Sequence, residues 1–112
     1  MRISQLEQAL EEKAQKGEIK YTPARKNYFS NEIYKLLDDI VKKFNNRYCS
    51  ANPAYLEWFQ LMINLKILNK NTRPDFQNLN SQTNPIEEYS ATGSGVELYL
   101  ELRDKFSAKS AQ

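Results

Sequence analysis

The segment from Asn52 to Leu68 constrains the fold most strongly. Asn52 followed by Pro53 is a strong helix start, because an asparagine oxygen can cap free backbone donors and proline fits the first helical position. The helix that follows is apolar on most sides. Its polar stripe consists only of Glu57, Gln60 and Asn64. Most of this helix must therefore be covered by other parts of the fold.

Three other segments are also predicted to be helical. Residues 31–46 have the clearest amphipathic pattern, with Ile33, Leu36, Leu37, Ile40, Val41 and Phe44 at intervals of three and four. In the first seventeen residues, Ser4 and Glu7 have the spacing of a capping box, and Gly17 is a natural helix stop. A last amphipathic run extends from about residue 96 to residue 106. The chain is thus mainly helical.

The composition changes abruptly after Leu68. Residues 69–85 contain five asparagines, two glutamines and two prolines, too polar a stretch to offset its ordering entropy by burial, so a long loop is predicted. Ile86 to Ala91 is consistent with a short strand at a sheet edge, and Gly93-Ser94-Gly95 with a turn.

The order of these features resembles the winged helix-turn-helix of MarR-type and PadR-type regulators. In that family a helix ends in Gly-Leu-Ile, a two-stranded wing follows, and Tyr-x-Leu-Thr-x-x-Gly leads into another helix. Residues 66–68, Lys-Ile-Leu, stand at the first motif. At the second, Tyr89, Thr92 and Gly95 keep their spacing, whereas Ala91 replaces the leucine and Lys66 replaces the glycine of the first motif. Thr92 would cap the next helix, glycine would permit a tight turn, and Tyr89 would pack the wing on the core.

The resemblance covers about residues 31–106 and implies an α+β, mainly helical winged helix-turn-helix with a small β-wing and extra N- and C-terminal helices. An all-α bundle with a long polar loop is the alternative. A chain of 112 residues with 40% hydrophobic content is expected to form a single domain, 1–112. Within it we predict an N-terminal helix over 1–17, the helix-turn-helix and wing over 31–92, and a C-terminal helix over 94–108.

The resemblance also implies that the third helix reads duplex DNA in the major groove. Amide side chains pair well with adenine, and cations contact phosphates. The predicted DNA-binding residues are Asn52, Gln60, Asn64, Arg47, Lys66, Lys70 and Arg73, with Arg25 and Lys26 as further cations. The alternative is that the two amides on the helix are its solvated face and that scattered cations are ordinary surface.

A homodimer is expected through the first and last helices, whose apolar residues have few evident partners within one subunit. The predicted interface consists of Leu6, Leu10, Tyr99, Leu102 and Phe106. The predicted function is that of a small winged-helix DNA-binding protein, either a transcriptional regulator or a replication accessory. The alternative is a non-enzymatic protein-interaction adaptor or a small helical subunit of a larger assembly.

Composition argues against catalysis and metal binding. The chain has no histidine and a single cysteine, Cys49, so the commonest general base and most metal ligands are missing. Adjacent carboxylates such as Glu87 and Glu88 diverge on a strand, as Asp38 and Asp39 do on a helix, and neither pair forms a dyad. We therefore predict that the chain is not an enzyme and has no catalytic residues, metal or cofactor.

Charge and compartment follow from the same composition. Lys and Arg exceed Asp and Glu by 16 to 14, and the isoelectric point is about 8.6, which permits a nucleic-acid partner without requiring one. Cys49 cannot form an internal disulfide, and no secretory signal or membrane span is evident. A cytoplasmic location is expected.

Overall fold

Four α-helices and a three-stranded sheet make up the part of the chain that the computed structural model describes, residues 1–49, 53–73 and 86–110. The elements are, in chain order, α1 (Ile3–Gln15), α2 (Lys26–Asp38), β1 (Tyr48–Cys49), α3 (Pro53–Asn64), β2 (Leu68–Arg73), β3 (Ile86–Ala91) and α4 (Gly93–Ser110). A 3₁₀ turn, Pro23–Arg25, leads into α2, and a π-helical segment, Asp39–Lys43, extends it. The α+β class is confirmed, and the all-α alternative is wrong.

The sheet is antiparallel with the order β1-β3-β2. β2 and β3 pair along their whole length, from Leu68 opposite Ala91 to Arg73 opposite Ile86. The strand predicted at 86–91 is therefore confirmed, but it is the central strand and not an edge. Residues 69–73 were expected in a loop, because their side chains are too polar to indicate a strand. They form part of β2 instead, because β3 supplies hydrogen-bond partners for their backbone. The rest of that expected loop, 74–85, lies outside the described residues.

Helix α2 begins five residues before the expected start at Asn31. Phe29 is buried in the same stripe as Ile33, Leu37 and Ile40, so the apolar face extends one turn further toward the N-terminus. The π-helical segment that extends α2 ends near the predicted stop, because Asn45 and Asn46 adopt positive φ angles of 51° and 63°. Asparagine tolerates this left-handed backbone conformation better than most residues.

Helix α1 ends near Gly17, whose φ of 76° takes the chain out of the helix as predicted. Its start differs from the expectation. The helix begins at Ile3, and the Gln5 Oε1 accepts a hydrogen bond from the Arg2 backbone N–H at 2.8 Å. The predicted capping box of Ser4 and Glu7 is therefore wrong.

Helices α1 and α4 contribute apolar side chains to the core of the same chain. Leu6, Leu10, Tyr99 and Leu102 are all at most 5% exposed, and Phe106 is half-buried beside Tyr34, with 5.2 Å between the ring centroids. The Tyr99 hydroxyl also donates to Asp38 on α2 at 2.7 Å. The expectation that these residues lack partners within one subunit is wrong, because α4 packs against both α1 and α2. Leu6, Leu10, Tyr99, Leu102 and Phe106 therefore do not form an exposed dimer interface.

Candidate nucleic-acid interface

The two sequence motifs meet in space at the end of α3. Lys66 has a φ of 63°, the left-handed conformation that glycine adopts most easily, so lysine occupies a glycine-favouring position here. The Thr92 hydroxyl donates to the carbonyl oxygen of Lys66 at 2.7 Å and accepts from the Gly95 N–H at 3.0 Å. The Thr92 N–H donates to the Ile67 carbonyl at 3.1 Å. Thr92 thus caps α4, as predicted, and ties the start of that helix to the end of α3.

An aromatic contact holds the β2–β3 hairpin against α3. Tyr89 on β3 and Phe59 on α3 are both almost fully buried, and their ring centroids are 4.5 Å apart. The Tyr89 hydroxyl donates to Glu87 at 3.2 Å. Burial, followed by the charge of Glu87, raises the pKa of Tyr89, so it remains a neutral donor. The predicted role of Tyr89 in packing the strand on the core is confirmed.

The exposed face of α3 carries the two amides that the sequence analysis selected. Gln60 and Asn64 are one turn apart and solvent-exposed, and the Gln60 Nε2 donates to the Asn64 Oδ1 at 3.0 Å. Gln60 also lines a depression of about 280 Å³ between α3 and the hairpin, together with Leu56, Lys70 and Glu87. The amide stripe and the hairpin therefore border one continuous surface. Asn52, the third predicted amide, lies outside the described residues.

The hairpin cation Lys70 is paired with a carboxylate. Its Nζ lies 3.1 Å from the Glu87 Oε1, across the β2–β3 pairing. This hydrogen bond is the main cause of a lowered pKa for Glu87, which therefore stays ionised. Lys70 must exchange Glu87 for a phosphate before it can contact DNA. Arg73 ends β2 opposite Ile86, and its side chain is not described.

Arg47 is compensated in the same way on the neighbouring strand. It lies just before β1, and its Nε donates to the Glu88 Oε1 at 3.4 Å. Glu87 and Glu88 thus bind two different cations, as expected for adjacent residues on a strand. The two pairs reduce the positive field beside α3. Lys66 is exposed close to the same surface, at the end of α3.

Cations on the connection between α1 and α2 flank the other side of α3. Lys13, Lys20 and Arg25 line a groove shared with Glu57, Gln60 and Asn64 of α3. Arg25 was identified from the sequence, but Lys20 was not, because residues 18–30 have no periodic pattern that would place it; Lys13 lies on α1 and was not selected as a site residue. Lys26 is paired with Glu7 at 3.1 Å.

Metal and membrane features are absent from the described ranges. No group of three or more potential metal ligands occurs among residues 1–49, 53–73 and 86–110. None of the helices described there combines the length and apolar character that crossing a bilayer requires.

Comparisons of this chain with protein-family models, with curated proteins and with solved structures find no match.

Proposed function

We propose that this chain binds duplex DNA through α3 and the β2–β3 hairpin, as a small winged-helix regulator or replication accessory. The observation that carries the proposal is the pairing of β2 with β3 directly after a helix that exposes Gln60 and Asn64. A helix flanked by a β-ribbon suits the major groove, which admits an α-helix, while the ribbon lies along the phosphates. The amides would contact bases, and Lys66, Lys70, Arg73 and Arg47 would contact phosphates.

The charge distribution sets the expected strength of binding. The net charge is only +2, and Lys70 and Arg47 each give up a carboxylate partner on binding. Affinity should therefore be modest and strongly dependent on salt. If four cations each neutralise one phosphate, log K should fall against log salt concentration with a slope of about −3.6.

Fluorescence anisotropy with a labelled random-sequence duplex tests the proposal. Replacing Lys70 and Arg73 together by glutamine should reduce the salt slope by about 1.8 and weaken binding to all duplexes alike. Replacing Lys42 and Lys43 together by glutamine, on the exposed side of the α2 extension, is the charge-matched control and should have no effect. No salt-sensitive binding with micromolar protein at about 50 mM salt would rule the proposal out.

A protein-interaction adaptor is the second candidate function. The observation that favours it is the pairing of Lys70 with Glu87 and of Arg47 with Glu88, which reduces the positive charge on the hairpin side of α3. Leu56 and Tyr28, both more than 40% exposed, are suitable contacts for a protein partner. Absence of DNA binding in the anisotropy experiment would leave this candidate in place.

A further inference from the structure

A groove separates α3 from the connection between α1 and α2. Its volume is about 980 Å³, at the upper end of the range of roughly 300–1,000 Å³ for ligand pockets. Residues 17–20 and Arg25 form one wall, and the exposed side of α3, including Glu57, Trp58 and Leu61, forms the other. We call this feature the connector groove. Its size suits several side chains of a bound chain segment.

The connector groove has an aromatic lining. Tyr28 is 47% exposed, and Trp58 is half-buried beside it, with 6.0 Å between their ring centroids. Phe29 completes the cluster at 5.4 Å from Trp58. Exposed aromatic residues of this kind are enriched in protein interfaces, because they bury a large apolar area and lose little conformational freedom.

Two cations border this aromatic cluster without an ion-pair partner among the residues that the structure describes. The Arg25 guanidinium lies 5.0 Å from the centroid of Tyr28, and its Nη1 donates to the Lys20 carbonyl at 3.1 Å. Neither Arg25 nor Lys20 contacts a carboxylate in that part of the chain, whereas the nearby Lys13 is paired with Glu18 at 3.4 Å. A guanidinium beside a ring can still present its remaining N–H groups as the fork that suits a carboxylate.

We propose that the connector groove binds a peptide segment of a partner protein in which an apolar side chain is flanked by carboxylates. The apolar side chain contacts Tyr28 and Trp58, and the carboxylates bind Arg25 and Lys20. The groove does not include the hairpin, but it shares Gln60 and Asn64 with the proposed DNA-binding face of α3, so a bound peptide and duplex DNA are expected to compete.

The geometry favours a peptide over single-stranded nucleic acid. Base stacking needs an accessible ring face, but Arg25 covers Tyr28, and Trp58 meets Tyr28 at an interplanar angle of 64°. Glu18 and Glu57 also line the groove and repel phosphates. A nucleic-acid strand carries a phosphate at every nucleotide and would meet Glu57, whereas a peptide can place its few carboxylates on the Arg25 wall, where Glu18 is already paired with Lys13.

A peptide selection with a fluorescence readout tests the proposal. A random 12-residue library displayed on phage is selected on the wild-type chain and counter-selected on Arg25→Glu. We expect enrichment of sequences that combine Asp or Glu with an aromatic or aliphatic residue. Trp58 is the only tryptophan in the chain, so binding of the enriched synthetic peptide should shift its emission directly.

Matched variants then assign the site. Arg25→Glu and Lys20→Glu should each lower the affinity for the peptide by about tenfold or more, while Lys70→Gln should leave that affinity unchanged. Circular dichroism and thermal melting confirm that the variants fold. In the selection, no enriched consensus or an enriched basic consensus would overturn the proposal. In the binding measurements, an Arg25→Glu variant that binds the peptide as the wild type does would also overturn it. So would a change in Trp58 emission on adding a twelve-nucleotide oligo(dT) but not on adding the peptide. A concentration-dependent dimer that Arg25→Glu abolishes would assign the groove to a second copy of the chain instead.

Discussion

The hydroxyl of Thr92 donates a hydrogen bond to the carbonyl oxygen of Lys66, 26 residues earlier in the chain. The Thr92 hydroxyl oxygen in turn accepts a hydrogen bond from the Gly95 N–H at the start of α4. One side chain therefore connects the left-handed turn after α3 to the helix that follows the hairpin. Because β2 and β3 lie between these two points in the sequence, this contact closes the base of the hairpin.

Replacing Thr92 by valine should remove both hydrogen bonds and keep the shape of the side chain. We expect a loss of about 1–2 kcal/mol in the free energy of unfolding, the usual effect of losing a helix cap. Thr92→Ser keeps the hydroxyl and should cost much less. Urea denaturation measures both variants, and a loss for serine equal to that for valine would show that the methyl group contributes as much as the hydroxyl and would contradict the assigned cap.

Gly95 should not tolerate a side chain. A Cβ atom at this position would overlap the carbonyl oxygen of Ile67, so Gly95→Ala must shift the backbone at a loss of about 1–3 kcal/mol. Gly93 is the matched control, because a Cβ there meets no atom within 4 Å. Gly93→Ala should stabilise the protein by about 0.4–1 kcal/mol through the unfolded state. A Gly95→Ala variant with unchanged thermal stability would contradict the close approach.

Asn46 connects the end of α2 to the last residue of β3. Its Oδ1 accepts the Ala91 N–H at 2.6 Å, and its Nδ2 donates to the Ala91 carbonyl at 3.4 Å. Asn46→Ala should cost about 2–4 kcal/mol, from both hydrogen bonds and from the positive φ.

Glycine variants separate these two contributions. Asn46→Gly loses the hydrogen bonds but tolerates the positive φ, and should be less destabilising than alanine by about 1 kcal/mol. Asn45→Gly, at the exposed neighbouring left-handed position, should be neutral or stabilising. Chemical denaturation of all three variants checks the order, and a larger loss for Asn45→Gly than for Asn46→Gly would refute it.

The Tyr99 to Asp38 hydrogen bond should make stability depend on alkaline pH. Burial, followed by the hydrogen bond to Asp38, raises the pKa of Tyr99 from 10.0 to about 12. The unfolded chain then loses its proton first, so the stabilisation is complete below pH 10 and is lost between pH 10 and pH 12. The expected loss is at most about 2–3 kcal/mol.

Tyr99→Phe isolates this contribution, because Tyr21 and Tyr89 also have raised pKa values and remain in the variant. The wild type should be more stable than Tyr99→Phe at pH 7 by about 1 kcal/mol. In urea titrations at a series of pH values, this difference in the free energy of unfolding should become smaller as the pH rises above 10. A difference that stays constant up to pH 11.5 would refute the assigned shift.

Local patterns predicted much of this fold. The apolar spacing at residues 33–44 indicated α2, because helical periodicity is set by nearby residues alone. The spacing of Tyr89 and Thr92 predicted the packing and capping roles that they have, whereas Gly95 is needed for its close approach to the Ile67 carbonyl and not for the tight turn that was expected. The exposed amides Gln60 and Asn64 also followed from the polar stripe of α3.

Features that depend on distant partners were not predictable in this way. The strand at residues 68–73 has no apolar alternation, and it exists because β3 supplies its hydrogen-bond partners. The sequence could not show that the charge of Lys70 is compensated, because its partner, Glu87, is 17 residues away in the chain. Leu6 and Leu102 looked unpartnered because each needed a helix from the other end of the chain.

The sequence by itself determined which segments are helical, and it determined the turns at Gly17 and Asn45–Asn46 and the Thr92 cap, because those choices depend on contacts within a few residues. Only the tertiary structure decided which apolar faces are buried, that β3 is central, and that Lys70 and Arg47 are already paired with carboxylates. Burial and charge compensation are sums over neighbours from the whole chain, and no local pattern contains them.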